Sequence, residues 1–378
     1  MSAPVLTIGI PAVLGRAVAA LLMTFSWVYS LSAQPTWQGD WERVQAAAKR
    51  EGKIVVAIPL NPELRKVLDG VLKSRFGIEP EFLVGQSTVF VRRVADEHQA
   101  GIRYFDVIIA GIENLLDRLL PMGAVEPLEP YWILPGVKDP KNWWGGHIYA
   151  DKAKRFVYTP YAYTSSSIWY NGDLVKPEEL RSYDDLLNPK WRGKIGLLDP
   201  RGGGVGLGIW SFLWMAKGEE YLKKLLQQNL LIQMERRVLA DSLAKGKIAI
   251  TIGPSYYTFV SFIKAGIPIK PFPRFKEGTF VTFGSGPPVI IKNPPHPNAT
   301  KVFVNWLLSK EGQETWGKAH GQPTRRVDVD TSSLTEIGEQ AAKDFLTLEE
   351  FSRWENQSED KILSVRRPAR EFASKLLP

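Results

Sequence analysis

The chain repeatedly sets a short apolar run directly before a helix-start signal, and that pairing leaves few folds open. Residues 53–58 carry Ile54, Val55, Val56, Ala57 and Ile58 without interruption and stop at Pro59. Asn61-Pro62-Glu63 follows, combining a capping side chain, a first-turn proline and an early acid. Leu64, Val67, Leu68, Val71 and Leu72 then recur at helical spacing on one face. Five consecutive apolar residues suit a strand covered on both sides, as in a parallel sheet. The pattern returns at Ile78–Val84 before Ser87, and at Asp106–Gly111. Strand and helix in alternation argue for an α/β protein with a mostly parallel sheet.

The middle of the chain changes character and then resumes. Residues 127–160 are rich in Pro, Gly, Trp and Tyr, and read as a structured connector. Strands are expected at Phe156–Tyr158, Ser166–Tyr170, Ile195–Leu198, Ile248–Ile252 and Val289–Ile291. Helices are expected at Val205–Met215, Glu219–Gln228, Val238–Lys245, Tyr256–Ala265 and Ala299–Leu308. From Asp328 the charge density rises, and the pattern reads as surface helices ending near Leu377. At 378 residues, the chain is long enough for two lobes.

Near the N-terminus, Arg16 precedes an uncharged run from Ala17 to Ala33, and Ser30-Leu31-Ser32-Ala33 offers small residues for cleavage. This is the layout of a secretory signal peptide over residues 1–33, cut near Ser32 or Ala33. The alternative is a retained membrane anchor, because the run reaches the lower end of a spanning length. Cysteine is absent, which excludes disulfides, thiolate metal sites, a cysteine nucleophile and a lipid-bearing cysteine. The net charge of +8 reads as a scattered basic surface. No dense Lys/Arg block interleaved with aromatics marks a nucleic-acid site, so no nucleic-acid partner is expected.

Several segments share an order with one family. They are Tyr161–Asn171, Tyr183–Ile195, Gly246-Lys247-Ile248-Ala249-Ile250 and the late Asn305-Trp306-Leu307-Leu308-Ser309-Lys310-Glu311-Gly312-Gln313. Together with the early strand and Asp106-Val107-Ile108, the sequence resembles the substrate-binding proteins of ABC import systems, particularly the ferric-iron-binding branch. The resemblance implies a two-lobed periplasmic-binding-protein fold of type II-like form, with the ligand between α/β lobes and hinge strands joining them. Crossings would fall near Pro160–Thr164 and Phe280–Ser285. The expected division is residues 36–160 with 282–330 as lobe 1, 165–278 as lobe 2 and 331–378 as C-terminal helices. The implied protein is an exported monomer, periplasmic or secreted, that captures a small ligand and delivers it to an inner-membrane ABC permease.

The resemblance also nominates ligand-binding residues. Tyr256-Tyr257 looks like the tyrosine dyad of ferric-binding proteins, which makes a bound ferric ion the implied cargo. A hard cation favours oxygen donors and the deprotonated phenol. The alternative is that both rings pack. Asn61 stands where many ferric-binding relatives have a histidine, and Gly111 where some have a glutamate, with Glu113 two residues on. An oxyanion or organic anion competes as ligand: a phosphonate, a carboxylate or a thiamine-like solute. Gly202-Gly203-Gly204 before a helix would leave backbone N–H groups open to such an anion. Arg201, Ser87 and Thr88 are further candidates, with a tight turn and ordinary helix capping as the plain alternatives.

Catalysis has little support. His98, His147, His296 and His320 form no spaced metal motif, and no nucleophile elbow is present. The expectation is a binding protein with no catalytic cofactor. The different-class alternative is a secreted hydrolase.

Overall fold

The computed structural model describes residues 1, 2, 4 and 36–377, except 273, 276, 285 and 338. The expected leader at 1–33 therefore lies almost wholly outside the described residues. The first half of the chain gives strands β1 (Lys53–Pro59), β2 (Glu79–Gly85), β3 (Val107–Ile109), β4 (Val125–Glu126), β5 (Tyr163–Ser165) and β6 (Ile168–Asn171). The second half gives β7 (Ile195–Leu198), β8 (Leu231–Gln233), β9 (Ile250–Ile252), β10 (Ile269–Pro271), β11 (Val281–Thr282), β12 (Pro288–Ile291) and β13 (Glu339–Ala341). The helices used below are α1 (Trp37–Glu51), α2 (Pro62–Val71), α3 (Ser87–Gln99), α4 (Gly204–Leu226), α5 (Arg236–Ala244), α6 (Pro297–Leu308), α7 (Lys310–His320), α8 (Leu348–Trp354) and α9 (Arg367–Leu376).

Two five-stranded sheets form the two lobes. The first has the order β2-β1-β3-β12-β4 and the second β10-β6-β9-β7-β8. In the first, β1 runs parallel to β2 and β3, and β12 returns antiparallel. In the second, β7 is parallel to β8 and β9, and β6 is antiparallel to β9. The apolar run at β1 is covered on both faces. Ile54, Val56 and Ile58 join the core containing Leu64 and Leu68 of α2. Val55 and Ala57 point the other way, into the core with Phe90, Val91 and Val94 of α3. Alternate residues face opposite sides of a strand, so both sets must be apolar. The second sheet does the same: Ile195 and Leu197 pack with Trp210 on α4, while Trp169 and Leu198 pack with Leu239 on α5.

A third, three-stranded sheet lies between the lobes, in the order β11-β5-β13. Here β5 and β11 carry the outward and return crossings of the chain. Ser285, at the end of the expected return, lies outside the described residues. The structure is thus α/β with two lobes joined by hinge strands, and a third strand completes the hinge.

Three elements differ from their sequence expectation. Phe156–Tyr158 is not a strand; Tyr158 makes only an isolated bridge to Tyr149. The nearby carbonyls are met instead by the buried Arg325, which donates to Thr159, Trp144 and Gly146 at 2.6, 2.6 and 2.9 Å. Tyr256–Ala265 is a 3₁₀ turn at Tyr256–Thr258 and a separate short helix at Val260–Lys264. The segment after Asp328 is not surface helix alone. It contributes β13, and Ala369 and Ala373 of α9 are fully buried. The two helices expected on either side of residue 218 are present, and α4 joins them across a kink at Gly218, at φ 78° and ψ 177°.

Glu339 on β13 is buried, and its carboxyl accepts from Ser165 Oγ at 3.2 Å. Burial pushes this carboxyl well above its ordinary range, against the opposing pull of that hydroxyl. In the unfolded chain a glutamate titrates near about pH 4.3. Above that pH the folded protein keeps a proton that the unfolded chain has released, so stability falls as pH rises toward the folded value. The slope is about 1.4 kcal/mol per pH unit within that window. Glu339→Gln is expected to raise the urea midpoint over wild type at about pH 8, and not at about pH 4, below both titrations. Paired urea titrations at the two pH values check this.

Candidate functional site

The loops that end the parallel strands of each lobe carry the candidate residues. Asn61 caps α2, its Oδ1 accepting from Leu64 N at 3.0 Å. Its Nδ2 donates to Ala319 O at 2.9 Å and lies 2.9 Å from His320 Nδ1. Burial pushes the His320 ring down to about 4, so it is neutral at physiological pH and its Nδ1 can accept. Asn61 is therefore held on three sides by its own lobe. Ser87 Oγ accepts from Gly111 N at 3.1 Å and ties the loop after β2 to the loop after β3. Thr88 follows on the exposed first turn of α3.

In the second lobe the strand β7 runs into the glycine turn. Asp199 fixes Arg201: Nε lies 3.0 Å from Oδ1 and Nη2 2.7 Å from Oδ2. The carboxylate also accepts from Arg201 N at 2.9 Å. This guanidinium shapes the turn and is already engaged with an acid. Gly203 has φ 76° and Gly204 φ 60°, conformations that strain other residues. Gly204 opens α4, whose first backbone N–H groups have no partner within the helix.

Two arginines flank this turn. A Cβ on Gly203 would stand 3.5 Å from Arg370 Nη2, and one on Gly204 would stand 3.8 Å from Arg236 Nη2. Arg236 opens α5, and Arg370 comes from α9 near the end of the chain. Arg236 Nη1 donates to the Tyr257 phenol oxygen, and its guanidinium lies 5.6 Å from that ring. Gly203, Gly204 and Tyr257 are thus brought together around Arg236 and Arg370. Gly202 is turned toward Met234 Sδ. Tyr256 parts from its neighbour and stacks on Trp169, with centroids 6.3 Å apart and planes at 30°.

Arg236 and Arg370 escaped the sequence reading. Arg236 had a signal, since Glu235-Arg236-Arg237 stands at a helix start, where a basic pair is unusual. Arg370 had none, because only tertiary packing brings α9 to the turn. Among the described residues, no three His, Asp or Glu side chains gather to hold a metal ion.

A family model for bacterial extracellular solute-binding proteins matches residues 67–314. The chain belongs to that family. Iron uptake protein A2 of Synechocystis sp. is 27% identical over 173 residues, which cover 41% of this chain and 49% of that protein. The chain therefore spans about half the length of this curated relative. The fold is also that of solved periplasmic binding proteins. Iron-bound HitA from Pseudomonas aeruginosa superposes with a TM-score of 0.62 at 16% identity, covering 86% of this chain and 99% of HitA. The periplasmic binding protein AfuA from Actinobacillus pleuropneumoniae, with fructose-6-phosphate bound, gives a TM-score of 0.61 at 18% identity, covering 85% and 99%. Solute-binding proteins of this family hold ligands rather than transform them. No helix among the described residues is long and apolar enough to cross a membrane.

Asn61→Ala removes the α2 cap and leaves Ala319 O and His320 Nδ1 without their donor. A loss of about 1–2 kcal/mol is expected from the cap alone. The check is the denaturation midpoint of the variant against wild type.

Proposed function

We propose that this protein is the exported capture component of an ABC importer and that it holds a small anionic solute between its lobes. One observation carries the reading: the glycine-only entrance to α4 is flanked by Arg236 and by Arg370, whose guanidinium also pairs with Glu113. A helix N-terminus supplies free N–H donors and a partial positive charge. Glycine lets a ligand approach the backbone closely, and guanidinium groups bind phosphate or carboxylate through paired donors. Tyr257 adds a hydroxyl to the same cluster. Ser87, Thr88 and Asn61, on the loops that follow β1 and β2 of the other lobe, would meet the solute on closure. Capture works as a switch only if the solute binds the closed form better than the open one. The closed form then docks on a permease in the inner membrane, which puts this chain in the periplasm.

Ferric iron is the second reading, favoured by the adjacent Tyr256 and Tyr257 and by the name of the relative from Synechocystis sp.. Two features weigh against it. Tyr256 is engaged with Trp169, and Arg236 sets a fixed positive charge against Tyr257. Two like charges about 4 Å apart repel by about 4 kcal/mol at an effective dielectric constant of about 20. Iron would therefore need an accompanying anion at the glycine turn.

Calorimetric titration separates the two. The purified chain is expected to bind inorganic phosphate, a sugar phosphate or citrate without added metal. Arg236→Gln is expected to weaken that binding at least about tenfold, the scale of one lost charged hydrogen bond. If no anion binds alone, and added ferric ion gives a visible tyrosinate band that Tyr256→Phe with Tyr257→Phe abolishes, the cargo is iron.

A further inference from the structure

The C-terminal segment holds both lobes. After β13 it packs on the first lobe, where Phe351 and Ile362 join the core with Val91 and Leu115. It then crosses to the second lobe, where Ala369 and Ala373 join the core with Leu207 and Trp210. Trp210 Nε1 donates to Ala369 O at 2.9 Å and fastens α9 to α4. From this position Arg366 and Arg370 reach back to one carboxylate of the first lobe, that of Glu113. Arg366 Nη1 lies 3.2 Å from Glu113 Oε2, and Arg370 Nη2 pairs with Oε1. The Glu113 and Arg366 side chains are 12% and 4% exposed, so water screens this contact little. Arg366 is itself held by Asn356 Oδ1 at 2.9 Å, and Asn356 Nδ2 donates to Gly208 O on α4 at 3.0 Å. The adjacent Gln357 accepts from Thr282 Oγ1 and Phe283 N on the hinge at 2.6 and 2.7 Å.

We propose that Glu113 is a latch residue that sets solute affinity by joining the two lobes through Arg366 and Arg370. It acts on the opening angle and does not touch the solute. This rests on the reading that solute is captured between the lobes, but not on which solute is captured. Glu113 lies on the first lobe, Arg370 lies on α9, which is anchored to the second, and Arg366, the residue just before α9, is tied through Asn356 to Gly208 of α4, so opening must lengthen the contact. One carboxylate that receives two guanidinium groups gives a short-range bond that is lost early in opening. A neighbouring pair, Arg367 with Asp117 at 2.8 Å, joins the same elements but is 47% and 33% exposed. Exposed pairs of that kind contribute little.

The chain has no cysteine, so two introduced ones can be labelled cleanly. Labels at Arg92→Cys and Lys245→Cys, both exposed positions, report the distance between lobes. In the solute-free protein, Glu113→Gln is expected to shift that distance to longer values, and Asp117→Asn to leave it unchanged. Phosphate affinity, read on the unlabelled variant, is expected to fall several-fold in Glu113→Gln. Circular dichroism and the denaturation midpoint confirm that the variant is folded. An unchanged distance in folded Glu113→Gln overturns the latch. Tighter phosphate binding by that variant also overturns it, since Glu113 would then compete with the solute for Arg370. If wild type binds no phosphate, the anion reading fails, while the distance measurement still decides the latch.

Discussion

Strand β5 is paired along both edges, with β11 on one side and β13 on the other. Those few backbone hydrogen bonds join two lobes that otherwise have separate sheets and separate cores. A two-stranded connection is marginal in water and bends easily. The third strand stiffens it and places the buried Glu339 beside Ser165, at the point about which the lobes would turn. The loops of both lobes that carry the candidate residues are positioned relative to this small sheet. Its geometry therefore sets the axis about which the lobes would open.

From the hinge outward, each lobe is made by a familiar physical solution. A strand covered on both faces needs apolar residues at every position, and β1 supplies them. A parallel neighbour requires a crossover helix, and α2 and α3 provide it. Strand ends and helix starts then collect on one side of each sheet, where ligands are bound in open α/β folds. The glycine turn before α4 is the clearest instance, because backbone groups rather than side chains are presented there.

Much of this was legible in the sequence, and the reasons differ by element. Ile54–Ile58 and Asn61-Pro62-Glu63 are local signals, and local signals survived. Ser87 and Asn61 were recognised as capping types; Asn61 does cap its helix, whereas Ser87 is the first residue of α3, which has no side-chain cap, and its hydroxyl accepts from Gly111 N instead. The α/β class followed from the order of such segments, and the two-lobed form from the resemblance to ABC substrate-binding proteins. β13 was missed because Glu339-Gln340-Ala341 has no apolar pattern; its strand state comes from pairing with β5, not from its own preference. Arg325 was missed because a lone arginine in the sequence shows nothing of the carbonyls it will meet. The adjacent Tyr256 and Tyr257 were legible as residues but not as directions, since one ring turns to Trp169 and the other to Arg236. The site divides in the same way: its glycines were found by spacing, while Arg236 and Arg370 are contributed by packing.

The placement of Arg370 has a consequence for assembly. A polypeptide is made and threaded from its N-terminal end, so the strands of both lobes exist before α9 does. They can pair, and the glycine turn can form, while the cluster around it still lacks one of its two guanidinium groups. The candidate site is thus among the last parts of the molecule to be completed, and a chain cut before α9 would lack one of the two guanidinium groups beside the glycine turn.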